Sequence, residues 1–144
     1  MTKGLRVWRS KGLQPTLDTD AYSSGDALGI KTQITGAPDS GVIRTIQITD
    51  GADQDIDTNV WLFDSEPTGV ADDAALALAD ADAAKLINVV LVDTRVDGTN
   101  NRIGVEQPNL FYRTDGGELW FQLSTGGTPT YAATSLTVRF TIEY

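Results

Sequence analysis

The sequence of 144 residues contains no cysteine and no histidine. The absence of both residue types excludes Cys/His zinc sites, Ser-His-Asp and Cys-His catalytic groups, disulfide bonds and imidazole switches near neutral pH. The chemistry that remains is that of carboxylates, hydroxyl groups and the backbone. No arrangement of these groups in the sequence goes beyond what turns explain, so we expect no catalytic residue, no cofactor, no dedicated metal site and a protein that is not an enzyme.

Long hydrophobic runs are also absent. The longest, residues 74–79 and 89–92, are far too short to span a bilayer, and residues 1–8 lack the apolar core of a secretory signal. These features predict a protein that is made and kept in a cytoplasm and has no membrane partner. The length suits one domain that buries about two-thirds of its unfolded surface, enough for a core without disulfide bonds.

Positive charge is scarce and unevenly distributed. Eleven Lys and Arg residues oppose 20 Asp and Glu residues, so the formal net charge is −9. Residues 1–17 nevertheless carry four cations and no acid, while the other 127 residues carry a net charge of −13. The acidic bulk argues against nucleic acid as a partner. We predict a basic N-terminal arm at residues 1–15, followed by a single domain at residues 16–144.

Alternation of apolar and polar residues predicts several strands. The alternation is strict over residues 136–143 and slightly less regular over residues 41–49. A period of two is typical of a strand with one solvated face. In residues 59–63 and 87–92 apolar residues occupy both parities, which predicts central strands that are buried on both faces.

A short loop that contains two glycines separates residues 110–114 from residues 118–124, and both of these runs are rich in aromatic residues. The pattern predicts a β-hairpin. Within its second strand we expect Trp120 to face away from Leu119 and Phe121.

Residues 71–86 are rich in alanine, and Asp72 and Asp73 stand where a helix start favours negative charge. One or two helical turns are expected there, with a loop across one end of the fold as the alternative. Seven to nine short strands with turn signals between them predict an all-β fold. We expect an antiparallel β-sandwich, jelly-roll-like or immunoglobulin-like, with one short helical segment near residues 72–86.

Two acidic motifs have simple structural explanations. Asp39-Ser40-Gly41 matches the loop of aspartic proteases, but a turn before a strand explains it equally well. Asp53, Asp55 and Asp57 alternate as in the opening of a calcium loop, yet Thr58 stands where such a loop needs glycine. A solvated acidic turn is the simpler interpretation.

Carbohydrate chemistry is a further alternative. A glycosidase needs only two carboxylates, but no spacing singles out a pair among the 20 acids. Trp8, Trp61 and Trp120 would serve to stack on a sugar ring if they were exposed. The apolar neighbours of Trp61 and Trp120 favour core packing, whereas Trp8 is flanked by arginines in the arm. A carbohydrate-binding module therefore stays open as an alternative function.

The basic arm combines cations with apolar side chains. Disordered tails are poor in aromatic and β-branched residues, so we expect the arm to pack on an acidic protein surface, of another subunit or of a partner. A disordered tail is the alternative, and single-stranded nucleic acid is opposed by the acidity of the whole chain. The predicted contact residues are the cations Lys3, Arg6, Arg9 and Lys11 and the apolar anchors Leu5, Val7 and Trp8.

The segment from Tyr22 to Asp26 predicts a turn that holds Tyr22 against the sheet. Gly25 is free to adopt a positive φ there, and Asp26 is able to accept hydrogen bonds from nearby backbone N–H groups. The turn has a structural explanation and need not be a binding site.

Five segments, in order along the chain, resemble a family of tailed-bacteriophage virion structural proteins. Residues 19–29 read Thr-Asp-Ala-Tyr-Ser-Ser-Gly-Asp-Ala-Leu-Gly and resemble the family's Thr-x-Ala-Tyr-x-x-Gly-Asp-x-x-Gly opening. Residues 61–68, Trp-Leu-Phe-Asp-Ser-Glu-Pro-Thr, resemble its Leu-Trp-Leu-Phe-Asp-x-x-Pro-Thr motif. The other three similar segments are residues 41–43, 79–87 and 135–139.

The resemblance covers about residues 16–140. It implies a small all-β particle protein without enzymatic activity, a head decoration or cement protein that binds the major capsid protein on the outer surface of the virion. It also implies assembly into homo-oligomers, commonly trimers. A tail or baseplate component is the alternative within the same class. The first ten or so residues match nothing in the family, so the resemblance assigns no capsid contact to the arm.

Overall fold

The computed structural model describes residues 4–144. Ten strands and one short helix follow one another in this part of the chain. They are β1 (Val7–Arg9), β2 (Ala27–Gln33), β3 (Ser40–Asp50), β4 (Thr58–Phe63), α1 (Asp80–Ala83), β5 (Leu86–Val92), β6 (Val96–Asp97), β7 (Arg102–Glu106), β8 (Leu110–Arg113), β9 (Trp120–Thr125) and β10 (Leu136–Glu143).

The strands form two antiparallel sheets. The first has the order β1-β10-β3-β7-β6, with β8 paired to the other end of β3, and the second has the order β2-β9-β4-β5. Without β6 and β8, the chain crosses from one sheet to the other at every connection except the one between β4 and β5. Eight strands connected in this way make a jelly roll. The predicted β-sandwich is confirmed, and two short additional strands bring the count above the expected seven to nine.

The core lies between the two sheets. All four apolar residues of the predicted alternation in β10 are completely buried, and they are Leu136, Val138, Phe140 and Ile142. Phe140 meets Phe121 of the opposite sheet with ring centroids 5.3 Å apart. The less regular strand β3 buries Ile43 and then Ile46 and Ile48, because Arg44 is an extra residue in its register with β10. Such a β-bulge shifts the side-chain alternation by one position.

The two strands expected at the centre behave differently. β4 lies between β9 and β5, as predicted. The prediction for β5 was wrong, because this strand is the edge of the second sheet and leaves Leu91 half exposed. A strand with apolar residues at both parities is therefore not necessarily central in this fold.

The predicted hairpin of residues 110–124 was also wrong. β8 pairs with β3 of the first sheet, whereas β9 pairs with β2 and β4 of the second. The loop between them therefore crosses from one sheet to the other. The expected orientation within β9 is confirmed, because Leu119 and Phe121 are buried in the core while Trp120 is partly exposed on the opposite face.

The alanine-rich segment contains one helical turn, α1, inside the predicted range, and the rest of residues 71–86 is loop and the start of β5. The helix does not start at Asp72. Instead, residues 73–76 exchange backbone hydrogen bonds with Gly25 and Ala27 at the start of β2. This pairing protects part of an edge strand that would otherwise expose its backbone.

The turn from Tyr22 to Asp26 has the predicted form. Gly25 has a φ of +91°, and a carboxylate oxygen of Asp26 accepts a hydrogen bond of 2.8 Å from the N–H of Ser23. Tyr22 is buried and packs against Tyr131.

Candidate functional site

The described part of the predicted basic arm is a component of the first sheet. Arg6 and Tyr144 exchange two backbone hydrogen bonds, β1 pairs with β10, and Leu13 forms a further bridge to Val138. The arm therefore packs on its own domain and is not a separate tail within these residues. Lys3, the first of the predicted contact residues, lies outside the described residues.

Neighbouring residues of β1 face opposite sides of the sheet. Trp8 is paired with Ile142, and Ile142 with Ile43, so Trp8 shares the inner face with two completely buried residues. It packs against the edge of the core. Trp8 is therefore anchored on its own chain, and its partly buried side chain also lines a groove at the edge of the sheet.

Val7 belongs to an exposed row on the outer face of the same sheet. The row runs across four strands through Val7, Glu143, Val42 and Phe111, which are successive cross-strand partners. Directly opposed residues point to the same face, and this face is turned away from the core. Val7 is 70% exposed and Phe111 is 80% exposed. Large apolar side chains so exposed, placed in one row, are typical of an interaction site.

Leu5 extends this row. It is 78% exposed and lines, with Val42, Phe111 and Tyr144, a shallow groove of about 430 Å³. Gly41 forms part of the floor of the groove, where a Cβ atom would come within 2.6 Å of the carbonyl oxygen of Glu143. We call the surface formed by Leu5, Val7, Val42 and Phe111 the apolar face.

The only carboxylate in the exposed row is neutralised by an arginine. The guanidinium of Arg44 donates two hydrogen bonds to Glu143, at 2.9 Å and 3.0 Å, and a third to Asn109. These bonds lower the pKa of the Glu143 carboxyl and raise the pKa of the Arg44 guanidinium. Arg9 and Arg113 point to the same side, two residues from Val7 and Phe111 respectively. The apolar face thus has basic margins and suits an acidic partner.

Sequence reasoning selected Leu5, Val7, Arg6 and Arg9 as contact residues and did not select Phe111 or Val42, which share the exposed row. Phe111 was assigned to a hairpin, where an aromatic residue has cross-strand partners. The signal that indicates its exposure is the buried Tyr112 beside it, since neighbours in a strand face opposite sides.

The acidic motifs have structural roles. Asp53 and Asp55 form ion pairs with Arg102 at 3.1 Å and 3.2 Å, and the turn is solvated as expected. The carbonyl of Asp39 accepts the N–H of Thr114 just before β3, so this motif continues the pairing of β3 with β8. Among residues 4–144 no group of three or more carboxylates is placed to hold a metal ion.

Two of the three tryptophans considered for carbohydrate binding, Trp61 and Trp120, lie on the outer face of the second sheet, and both are partly covered. The indole N–H of Trp61 donates to the hydroxyl of Ser124 at 2.9 Å. That of Trp120 donates to Glu118, and the ammonium of Lys31 lies 5.8 Å from the centre of its ring. Their polar atoms therefore already have partners within the chain.

No protein-family model matches the sequence, and no curated protein matches it. The one helix in the described range has four residues, far fewer than a bilayer-spanning helix needs.

Proposed function

We propose that this chain is a non-enzymatic structural protein of a bacteriophage particle, a decoration or cement protein that binds the major capsid protein on the outside of the head. The observation that carries the proposal is the apolar face. It spans four strands, so its side chains are held by a rigid sheet and little conformational entropy is lost when a partner covers them.

The surroundings of the apolar face define the partner. Arg6, Arg9 and Arg113 are exposed near Leu5, Val7 and Phe111, and the one carboxylate in the row is paired with Arg44. A complementary surface has an apolar centre and acidic margins. The segments that resemble virion proteins support a capsid as the partner of that surface.

Such a protein stabilises the particle by binding. A ligand that binds only the assembled lattice shifts the equilibrium toward assembly, by mass action. A cluster of identical copies, such as the trimer that the resemblance implies, multiplies weak contacts through effective concentration. The chain needs no catalytic group for this role.

The test is binding to purified phage heads that lack this protein, measured by co-sedimentation and located by electron cryomicroscopy. Phe111→Ser and Val7→Ser change exposed side chains, so the fold persists while affinity falls at least about tenfold, as expected for central contacts. The matched control is Ile30→Ser, which changes an apolar residue of β2 that is 60% exposed on the other sheet.

Normal decoration by the Phe111→Ser and Val7→Ser variants would show that the apolar face is not the capsid contact. Density on the tail would favour the tail or baseplate alternative. Binding to glycans and not to heads would favour the carbohydrate-binding alternative.

A further inference from the structure

A second exposed apolar surface lies on the flank of the sandwich where β5 meets β7. Leu91, Val96, Ile103 and Val105 line a groove there of about 480 Å³. Val96 is 60% exposed and Val105 is 53% exposed. We call this groove and its neighbouring carboxylates the acidic flank.

Carboxylates outnumber cations around this groove. Asp93 and Glu106 line it, and Asp53, Asp55, Asp57 and Asp97 lie in the segments beside it. The cations among them, Arg95 and Arg102, are both engaged in ion pairs with these carboxylates. Glu106 is exposed and belongs to none of the ion pairs within residues 4–144. The flank therefore carries negative charge in excess.

The opposite edge of the first sheet has the complementary character. Trp8, Arg9, Lys11 and Leu13 line another groove of about 480 Å³, which we call the basic edge. Residues 4–13 contain three cations and no carboxylate. None of these cations takes part in an ion pair in the described part of the chain.

The strand register aligns the two grooves along one cross-strand row, at opposite edges of the first sheet. Leu13 is paired with Val138, Val138 with Ile48, and Ile48 with Gly104. This row starts at the basic edge and ends in β7, at the acidic flank. One copy therefore presents a basic apolar groove on one side and an acidic apolar groove on the other.

We infer that the basic edge of one copy binds the acidic flank of a second copy of this chain. The contact is heterologous, since two different surfaces meet, and repetition of such a contact forms a ring when the rotation between copies closes. The apolar residues supply the buried centre, and the opposite charges fix the orientation. This contact does not depend on binding to a capsid, because its apolar residues are not those of the apolar face and only Arg9 borders both surfaces.

The test compares the mass in solution of the wild-type chain and of two charge-reversed variants, by light scattering and analytical ultracentrifugation. The basic-edge variant carries Arg9→Glu and Lys11→Glu, and the acidic-flank variant carries Glu106→Lys and Asp97→Lys. All four side chains are exposed, so folding is preserved. The control variant carries Asp20→Lys and Asp115→Lys, which change exposed carboxylates outside both grooves.

We expect the wild type and the control to be oligomers, with a mass in solution at least twice the 15.4 kDa of one chain. In each reversed variant, like charges face each other across the contact between copies. We therefore expect the affinity of one copy for the next to be at least about tenfold weaker and the variant to dissociate to the monomer. A mixture of the two variants forms species larger than the monomer again, since each contact between the two different variants joins opposite charges. A monomeric wild type, reversed variants of unchanged mass, or a mixture that stays monomeric overturns the inference.

The outcome is separable from that of the proposed function. Phe111→Ser changes head binding and leaves the mass in solution unchanged. The reversed variants change the mass even if the protein binds no head at all.

Discussion

The hydroxyl group of Tyr22 donates a hydrogen bond of 2.8 Å to the carboxylate of Asp72, 50 residues further along the chain. The same carboxylate accepts the backbone N–H groups of Asp18 and Gly29, each at 2.7 Å. One side chain from the long β4–β5 connection thereby holds the turn before β2 and β2 itself. Burial and the hydrogen bond to Asp72 raise the pKa of Tyr22.

Replacement of this carboxylate tests its structural role. Asp72→Ala leaves the buried N–H of Gly29 without its acceptor, so we expect the free energy of unfolding to fall by about 1–3 kcal/mol. Tyr22→Phe removes one hydrogen bond to a charged group and should cost about 1.5 kcal/mol. Urea denaturation of both single variants and the double variant gives the coupling. If the two losses simply add, the side chains do not act together.

Substitution of Gly104 should destabilise the junction of the two sheets. A Cβ atom on this residue of β7 would lie 2.5 Å from the carbonyl oxygen of Asp93, which no real structure tolerates without movement. We expect Gly104→Ala to lower the free energy of unfolding by about 1–3 kcal/mol. Gly4→Ala is the control, because no atom lies within 4 Å of a Cβ placed there. Equal stability of the two variants would contradict the close approach of β7 to the β5 edge.

Three buried tyrosines predict alkaline instability. Burial, aided by the charge of Asp39, raises the pKa of Tyr112 to about 12, and burial also raises the pKa values of Tyr22 and Tyr131. A phenol whose pKa is raised in the folded state stabilises the fold below its unfolded pKa of 10 and loses that contribution as the pH rises. Unfolding free energies should therefore fall above pH 10, and phenolate absorbance should rise together with unfolding. Ionisation of all tyrosines in the folded protein would exclude this linkage.

Asp82 should contribute to stability at neutral pH and lose that contribution in acid. Its burial opposes ionisation, but hydrogen bonds of 2.7 Å and 3.0 Å from the N–H groups of Thr68 and Gly69, with the charge of Lys85, lower its pKa overall. The stabilisation is complete above the unfolded pKa of 3.8 and disappears as the pH falls through the lower folded value.

The Asp82→Asn variant tests this point. We expect it to be less stable than the wild type at neutral pH by about 1 kcal/mol, with a smaller difference at the acidic end of the titration. Chemical denaturation across the acidic range measures both. A difference that stays constant with pH would mean that the charge of Asp82 has no role in stability.

The strands with strict alternation were predictable because one local rule decides them. In β10 and most of β3, a buried face and a solvated face give a period of two, and the structure buries the residues that the pattern selects. The deviation in β3 comes from a bulge at Arg44, which the sequence pattern did not identify.

The errors arose where the partner of a segment decides the outcome. The pattern of β8 and β9 predicts two strands with a glycine turn between them. It contains no information on which strands they pair with, and in the structure they belong to different sheets. Asp72 has the residue type of a helix start. Its carboxylate instead accepts hydrogen bonds from residues in β2 and in the segment before it, which are more than 40 positions away in the sequence. The same limit applies to the candidate site, since only the register of β1 distinguishes exposed Val7 from inward-facing Trp8.

The position of β10 also sets the order in which the chain can fold. β10 lies between β1 and β3, and Ser10 and Phe140, 130 residues apart, are joined by a hydrogen bond. All four strands of the second sheet precede residue 126, so that sheet can form while β1 still lacks its only partner. Closing such a long loop is slow. Leu5 and Val7 consequently take their places on the apolar face only after β10 has been synthesised and has paired with β1.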